Sequence, residues 1–87
     1  MNFSVQIDVQ LRPGIADPQG STIERSLPHL GFDGVSAVRV GKSIVFALEA
    51  SDEASARAEV QDMCDRFLTN PVIEEATIVI APAASVR

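Results

Sequence analysis

The sequence predicts an α+β fold, and three observations carry that reading. Residues 2–12 alternate apolar and polar side chains without a break. Two later stretches place apolar residues at helical spacing behind helix-capping residues. Strand-like runs lie between these stretches and after them. The resulting order is βαββαβ. Two crossover helices on one face of a four-stranded antiparallel sheet make a ferredoxin-like sandwich. Right-handed crossovers put the first and third strands at its centre.

In the first strand Phe3, Val5, Ile7, Val9 and Leu11 point one way, and Ser4, Gln6, Asp8, Gln10 and Arg12 the other. Period two marks a strand with one face on a core. Pro13-Gly14 ends it, because proline cannot continue a ladder. Asp17-Pro18 reads as a helix start, the carboxylate accepting from a free N–H and the proline filling a position that needs no donor. Ile23, Leu27 and Leu30 form its apolar stripe. Gly31 is a left-handed stop, and Pro28 should kink the last turn.

Val35–Val40 and Ile44–Ala50 read as two strands joined at Gly41-Lys42-Ser43. A three-residue connection puts Val38, Val40, Ile44, Phe46 and Leu48 on one face, whereas a two-residue loop would put Arg39 there. Ser51 or Asp52 caps the second helix, whose buried stripe is Ala56, Val60, Met63, Cys64, Phe67 and Leu68. Glu53–Arg57 and Asp62–Arg66 are i, i+4 pairs on its wet side. Asn70-Pro71 ends this helix, and Val72–Ala81 is the last strand, with Ala76, Ile78 and Ile80 inward. A single domain over residues 1–81 is expected, with residues 82–87 as a frayed tail.

Composition narrows the function. The chain has 87 residues, a formal charge of −5 and seven scattered basic residues. Nucleic-acid and anionic-lipid binding both need clustered Lys and Arg, so both are disfavoured. No apolar run approaches the roughly 20 residues of a membrane span. The start Met1-Asn2-Phe3-Ser4 lacks the features of a secretion signal, which points to the cytoplasm. Cys64 is the only cysteine and cannot form an intrachain disulfide, in keeping with a reducing compartment.

No catalytic set emerges. His29 has no Cys or second His near it and reads as a solvated or capping residue. Metal binding needs more ligands than are visible. Cys64 lies in an apolar stripe, where a thiol is a poor nucleophile. Glu74 and Glu75 are adjacent on a strand start and point apart. Gly31-Phe32-Asp33-Gly34 precedes no helix that could cradle a phosphate. Phe3 and Phe46 are in phase with the core rows, not displayed for base stacking. The open sheet face would carry Ser4, Gln6, Asp8, Gln10, Ala37, Arg39, Val45, Ala47, Thr77 and Val79, a mixture that suits self-association.

The ordered pieces Leu11-Arg12-Pro13-Gly14, Asp17-Pro18-Gln19-Gly20, Leu30-Gly31-Phe32, Val38-Arg39-Val40-Gly41-Lys42 and Leu68-Thr69-Asn70-Pro71-Val72-Ile73-Glu74 resemble the PurS family, the small subunits of bacterial and archaeal phosphoribosylformylglycinamidine (FGAM) synthase. Pro28 departs from the family pattern, and the residues after Ile80 are not distinctive. The resemblance implies a non-catalytic adaptor in purine biosynthesis. It would join an ATP-dependent synthetase subunit to a glutaminase subunit and aid ammonia transfer, with ATP, Mg and glutamine used by those partners and no cofactor held by this chain. It also implies a homodimer or higher oligomer.

An adaptor needs rigid loops, and prolines lower the ordering entropy lost on docking. Arg12, Pro13, Gly14, Asp17, Gln19, Arg39 and Lys42 are therefore the expected contact residues. Two other classes remain open: an amino-acid-sensing module of the same shape, and an acylphosphatase-like enzyme. The latter lacks a loop with an Arg, clustered N–H groups and a partner Asn.

Overall fold

The structure is a computed structural model that describes residues 1–83. Three strands form one antiparallel sheet: β1 (Asn2–Leu11), β2 (Lys42–Glu49) and β3 (Glu74–Pro82), in the order β2-β1-β3. Helix α1 spans Pro18–Ser26 and helix α2 spans Glu53–Met63. Of the expected frayed tail, Pro82 closes β3, and residues 84–87 lie outside the described residues.

Strand β1 is central because its strict alternation gives it a full apolar face. Phe3, Val5, Ile7 and Val9 are at most 2% exposed. Val5 pairs with Phe46 and Ile80, and Ile7 with Ile44 and Ile78, so three apolar rows lie side by side. Helix α2 covers them with Ala56 and Val60, continued by Cys64 in the turn that follows, all buried. Removing an apolar side chain of this size from water contributes roughly 1.5–3 kcal/mol. These rows and one helix are the core.

Both caps form as the sequence indicates. Gly20 N–H donates to Asp17 Oδ1 at 2.9 Å, with Pro18 in the first turn. Asp52, not Ser51, caps α2 and accepts from Ser55 N–H at 2.7 Å. At Pro28 the α-helical pattern tightens into a 3₁₀ turn over Leu27–Leu30, which Gly31 ends at φ 96°. The Asp62–Arg66 pair closes at 3.1 Å.

The fourth strand does not form: residues 35–40 belong to no strand. β2 is therefore an edge, and the expected hairpin through Gly41-Lys42-Ser43 is replaced by a direct entry into β2, Lys42 opposite Val9. The physical reason is a competing set of hydrogen-bond partners. Val38 N–H donates to Glu24 Oε1 at 3.0 Å and Val40 N–H to Asp17 Oδ2 at 2.9 Å, so side chains of the α1 segment take amides that a ladder would use. Ala37 sits at φ 58°, which also breaks a regular strand.

Helix α2 packs on β3, whereas α1 packs only sparsely against the strands. The chain is flat and long, 51 × 31 × 14 Å, with a radius of gyration of 16.7 Å against roughly 12 Å for a compact domain of this length.

Phe67 is the third departure. Its expected place in the buried stripe is lost because α2 runs on as a π-helical turn over Cys64–Leu68. Widening the turn shifts the angular phase, which leaves Leu68 half-buried and turns Phe67 out to 85% exposure.

Candidate functional site

The residues expected to meet partners gather at one end of the molecule, where the arm formed by residues 12–41 leaves the sheet. Asp17 organises it. Its carboxylate accepts from Gly20 N–H and Val40 N–H and lies 3.9 Å from Arg39 Nε. It is 8% exposed. The Gly20 amide, then the Val40 amide, hold its pKa below the ordinary carboxylate value; burial opposes them, and the Arg39 charge assists.

Arg39 faces inward along the chain. Its Nη2 donates to the carbonyls of Leu11 and Arg12 at 3.2 and 3.3 Å, and its Nη1 to that of Ile15 at 3.4 Å. One guanidinium thus ties the 38–40 segment to the loop that ends β1, a use of its rigid fork of donors. Arg12 makes the matching tie on the other side. Its Nε donates to Pro71 O at 3.0 Å, its Nη1 pairs with Glu75 at 3.5 Å, and its backbone N–H donates to Ile73 O. Arg12 and Arg39 both brace the loops.

Two glycines allow the close approach. A Cβ on Gly20 would lie 2.5 Å from Val38 O, and one on Gly41 would lie 2.6 Å from Val9 O. Any side chain at either position would push the 38–41 segment off α1 or off β1. The sequence reading placed Gly41 in a connection between strands, named Gly20 only within a family motif and gave Glu24 no role. The Asp17-to-Gly20 spacing was the only signal of their role.

What stays outward is Pro13, Gly14, Gln19 and Lys42, all exposed. Gln19 and Lys42 border an open cleft of about 310 Å³ with Leu11, Asp17, Val40 and Glu74. A shallow apolar groove of about 510 Å³ runs along α1, lined by Pro18, Gln19, Thr22, Ile23 and Val40. Ile23, Leu30, Phe32 and Val35 are exposed along the same arm.

Asp17, Arg12 and Arg39 are engaged with one another's segments through backbone amides and carbonyls, and the outward groups are amide, amine and apolar. Among the described residues no three or more His, Cys, Asp or Glu could hold a metal ion, and no helix is long and apolar enough to cross a membrane. Cys64 is buried, and burial, then the neighbouring Asp65 charge, raises its thiol pKa, which leaves it unreactive. His29 is exposed on the 3₁₀ turn.

The same architecture recurs in known proteins. A family profile described as PurS, phosphoribosylformylglycinamidine (FGAM) synthase, matches residues 4–82. The PurS subunit of phosphoribosylformylglycinamidine synthase from Synechocystis sp. is 48% identical over 73 residues, 84% of this chain and 73% of that one. The structure of PurLQS from Thermotoga maritima contains a chain that superposes with a TM-score of 0.85 at 38% identity, covering 93% of this chain and 99% of that one. The crystal structure of Methanocaldococcus jannaschii PurS, one of the subunits of formylglycinamide ribonucleotide amidotransferase in the purine biosynthetic pathway, superposes with a TM-score of 0.82 at 32% identity, over 92% and 96% of the two chains. A match of this breadth in both sequence and three-dimensional shape leaves one conclusion: the chain belongs to the PurS family of FGAM synthase subunits.

Proposed function

We propose that this chain is the small, non-catalytic subunit of an ATP- and glutamine-dependent FGAM synthase in de novo purine biosynthesis. It joins the synthetase and glutaminase subunits and helps ammonia pass between them. The observation that carries this reading is the close likeness to the PurS-type chain of the PurLQS structure. ATP, Mg and glutamine are used by the partner subunits, in the cytoplasm, and this chain binds none of them.

The arm supports the reading physically. Two arginines, two carboxylates and two close backbone contacts fix its loops before any partner arrives, so docking loses little conformational entropy. In this reading Pro13, Gly14, Gln19 and Lys42 meet the partners directly. Arg12, Asp17 and Arg39 contribute by holding them in place, and the two arginines also offer their partly exposed edges. Residues 1–81 act as one domain that self-associates as a homodimer or higher oligomer. The four-stranded ferredoxin-like sheet is kept for the assembled state, where the free outer edge of β2 takes an added strand.

The test is reconstitution. The synthetase and glutaminase subunits are mixed with and without this chain, and FGAM formation is followed with glutamine or with free ammonia as nitrogen donor. The reading predicts glutamine-dependent synthesis only in the ternary mixture, with ammonia-dependent synthesis far less affected. Equal rates on glutamine without this chain would refute it. Calorimetric binding of glutamine or another amino acid to the isolated chain would favour a sensing module instead.

A further inference from the structure

The two most exposed large apolar side chains among the described residues lie five positions apart, away from the arm. Phe67 is 85% exposed and Val72 80%. Phe67 sits on the π-helical turn that prolongs α2, and Val72 on the connection from it to β3, with exposed Pro71 beside it. A phenylalanine left in water forgoes the stabilisation that burial brings. The widened turn is what puts it there, and such turns are frequent at functional sites.

The backbone that carries these side chains is fixed. Thr69 donates to Cys64 O from both its N–H and its Oγ1, at 3.1 and 2.9 Å. Asn70 Oδ1 accepts from Val72 N–H at 3.1 Å, and Asn70 O accepts from the N–H groups of Ile73 and Glu74. The Asn70 N–H donates to Glu74 Oε1 at 2.8 Å, and Arg12 Nε holds Pro71 O. Apolar anchors on a backbone already in place lose little entropy on docking.

Charge selects the occupant. Glu59, Asp62, Asp65 and Arg66 are exposed on the last turns before the connection. Arg66 is taken by Asp62 at 3.1 Å, and among the described residues neither Glu59 nor Asp65 has a cation within ion-pair distance. Two copies of this surface set face to face would bring like charges together, which disfavours a contact between copies of this chain. Its complement is a different protein with an apolar pocket edged by Lys or Arg.

We infer that Phe67 and Val72 anchor a second docking surface, seated in an apolar, basic-edged pocket of a non-identical partner subunit. This rests on the adaptor reading above and deepens it. A chain that joins two different proteins needs two surfaces, and the arm supplies one. The Phe67 ring is the dominant anchor, because large aromatic groups at the centre of a contact carry most of its energy.

The experiment uses the full chain in the reconstituted mixture with the synthetase and glutaminase subunits, where glutamine-dependent synthesis is titrated with parent and variant chains. Phe67→Ser is expected to need roughly thirty-fold more protein for half-maximal synthesis and to regain the parent plateau, with its circular dichroism unchanged. Asp65→Lys should shift the same titration several-fold, and the shift should shrink as salt rises, because the new charge would repel a basic rim. On irradiation, a Phe67→benzoylphenylalanine variant should crosslink to one of the two larger subunits and not to a second copy. Superimposable titrations of parent and Phe67→Ser, tighter action of Asp65→Lys, or an adduct confined to copies of this chain would each overturn the inference and leave the adaptor reading standing. A parent chain without effect on glutamine-dependent synthesis would overturn both.

Discussion

The sheet with α2 and the arm of residues 12–41 are held by different physics. The sheet half is apolar: four β1 side chains at most 2% exposed meet Val60, Cys64 and Ala56. The arm has no such cluster, and of its residues only Asp17 and Gly20 are buried. Its shape comes from two carboxylates, two guanidiniums and two backbone contacts too close for a side chain. Burial is tolerant of detail, because it scales with area. A polar clip is not, because each donor needs its acceptor in place. Damage to the first half should therefore unfold the protein, and damage to the second should reshape the arm and leave the sheet standing.

Substitutions on each side of that divide should separate the two. The largest effect on stability is expected from Ile7→Ala, which empties the centre of the sheet. Large-to-small changes at such sites cost roughly 2–5 kcal/mol, and chemical denaturation should show one cooperative transition at lower denaturant. Gly20→Val comes next. Its side chain meets Val38 O, so the 38–41 segment must move. Far-UV circular dichroism should keep the β-sheet signal, while glutamine-dependent synthesis in the reconstituted complex falls steeply. A sheet that melts with the arm would erase the distinction.

Asp17→Asn should act more mildly and reveal itself through pH. The folded state lowers the Asp17 pKa, as it does that of Asp52. Each carboxylate therefore contributes stability that is present above its unfolded pKa, near 4, and is lost as pH falls through the lower folded value. Thermal melts of the parent should show Tm falling in that acid window. Asp17→Asn should melt several degrees lower at pH 7 and show a shallower acid decline, because one of the two groups no longer titrates. The smallest effect is expected from Phe67→Ser. Phe67 is 85% exposed in the single chain, so stability should change by less than about 0.5 kcal/mol.

The sheet half was largely legible in the sequence because its signals are local. Alternation over residues 2–11 is a complete statement of which face is buried, and Asp17 and Asp52 announce their caps three residues ahead of the amides they hold. The stop at Gly31 and the tightening at Pro28 are local as well. The arm was misread because its partners are remote. Val35–Val40 has the composition of a strand, and nothing within it says that Glu24 and Asp17, 14 and 23 residues away, will take its amides. Arg39 and Asp17 were expected as contact residues because they lie in rigid loops, and in the structure their polar groups bond within the arm. Phe67 was assigned to the core because a helix of constant pitch puts it there, and the π turn after Met63 leaves no trace in the hydrophobic pattern. Short-range periodicity reports burial. It does not report a backbone hydrogen bond captured by a distant side chain.

Native-state hydrogen exchange puts the division between the two halves to the most direct test. The account predicts two tiers. Amides of Val5 and Ile7 should exchange only through global unfolding, while those of Val38 and Val40 open at much lower free energy, and Asp17→Asn should collapse the second tier and leave the first in place. A single tier, with arm and sheet amides protected equally and lost together in the variant, would contradict it.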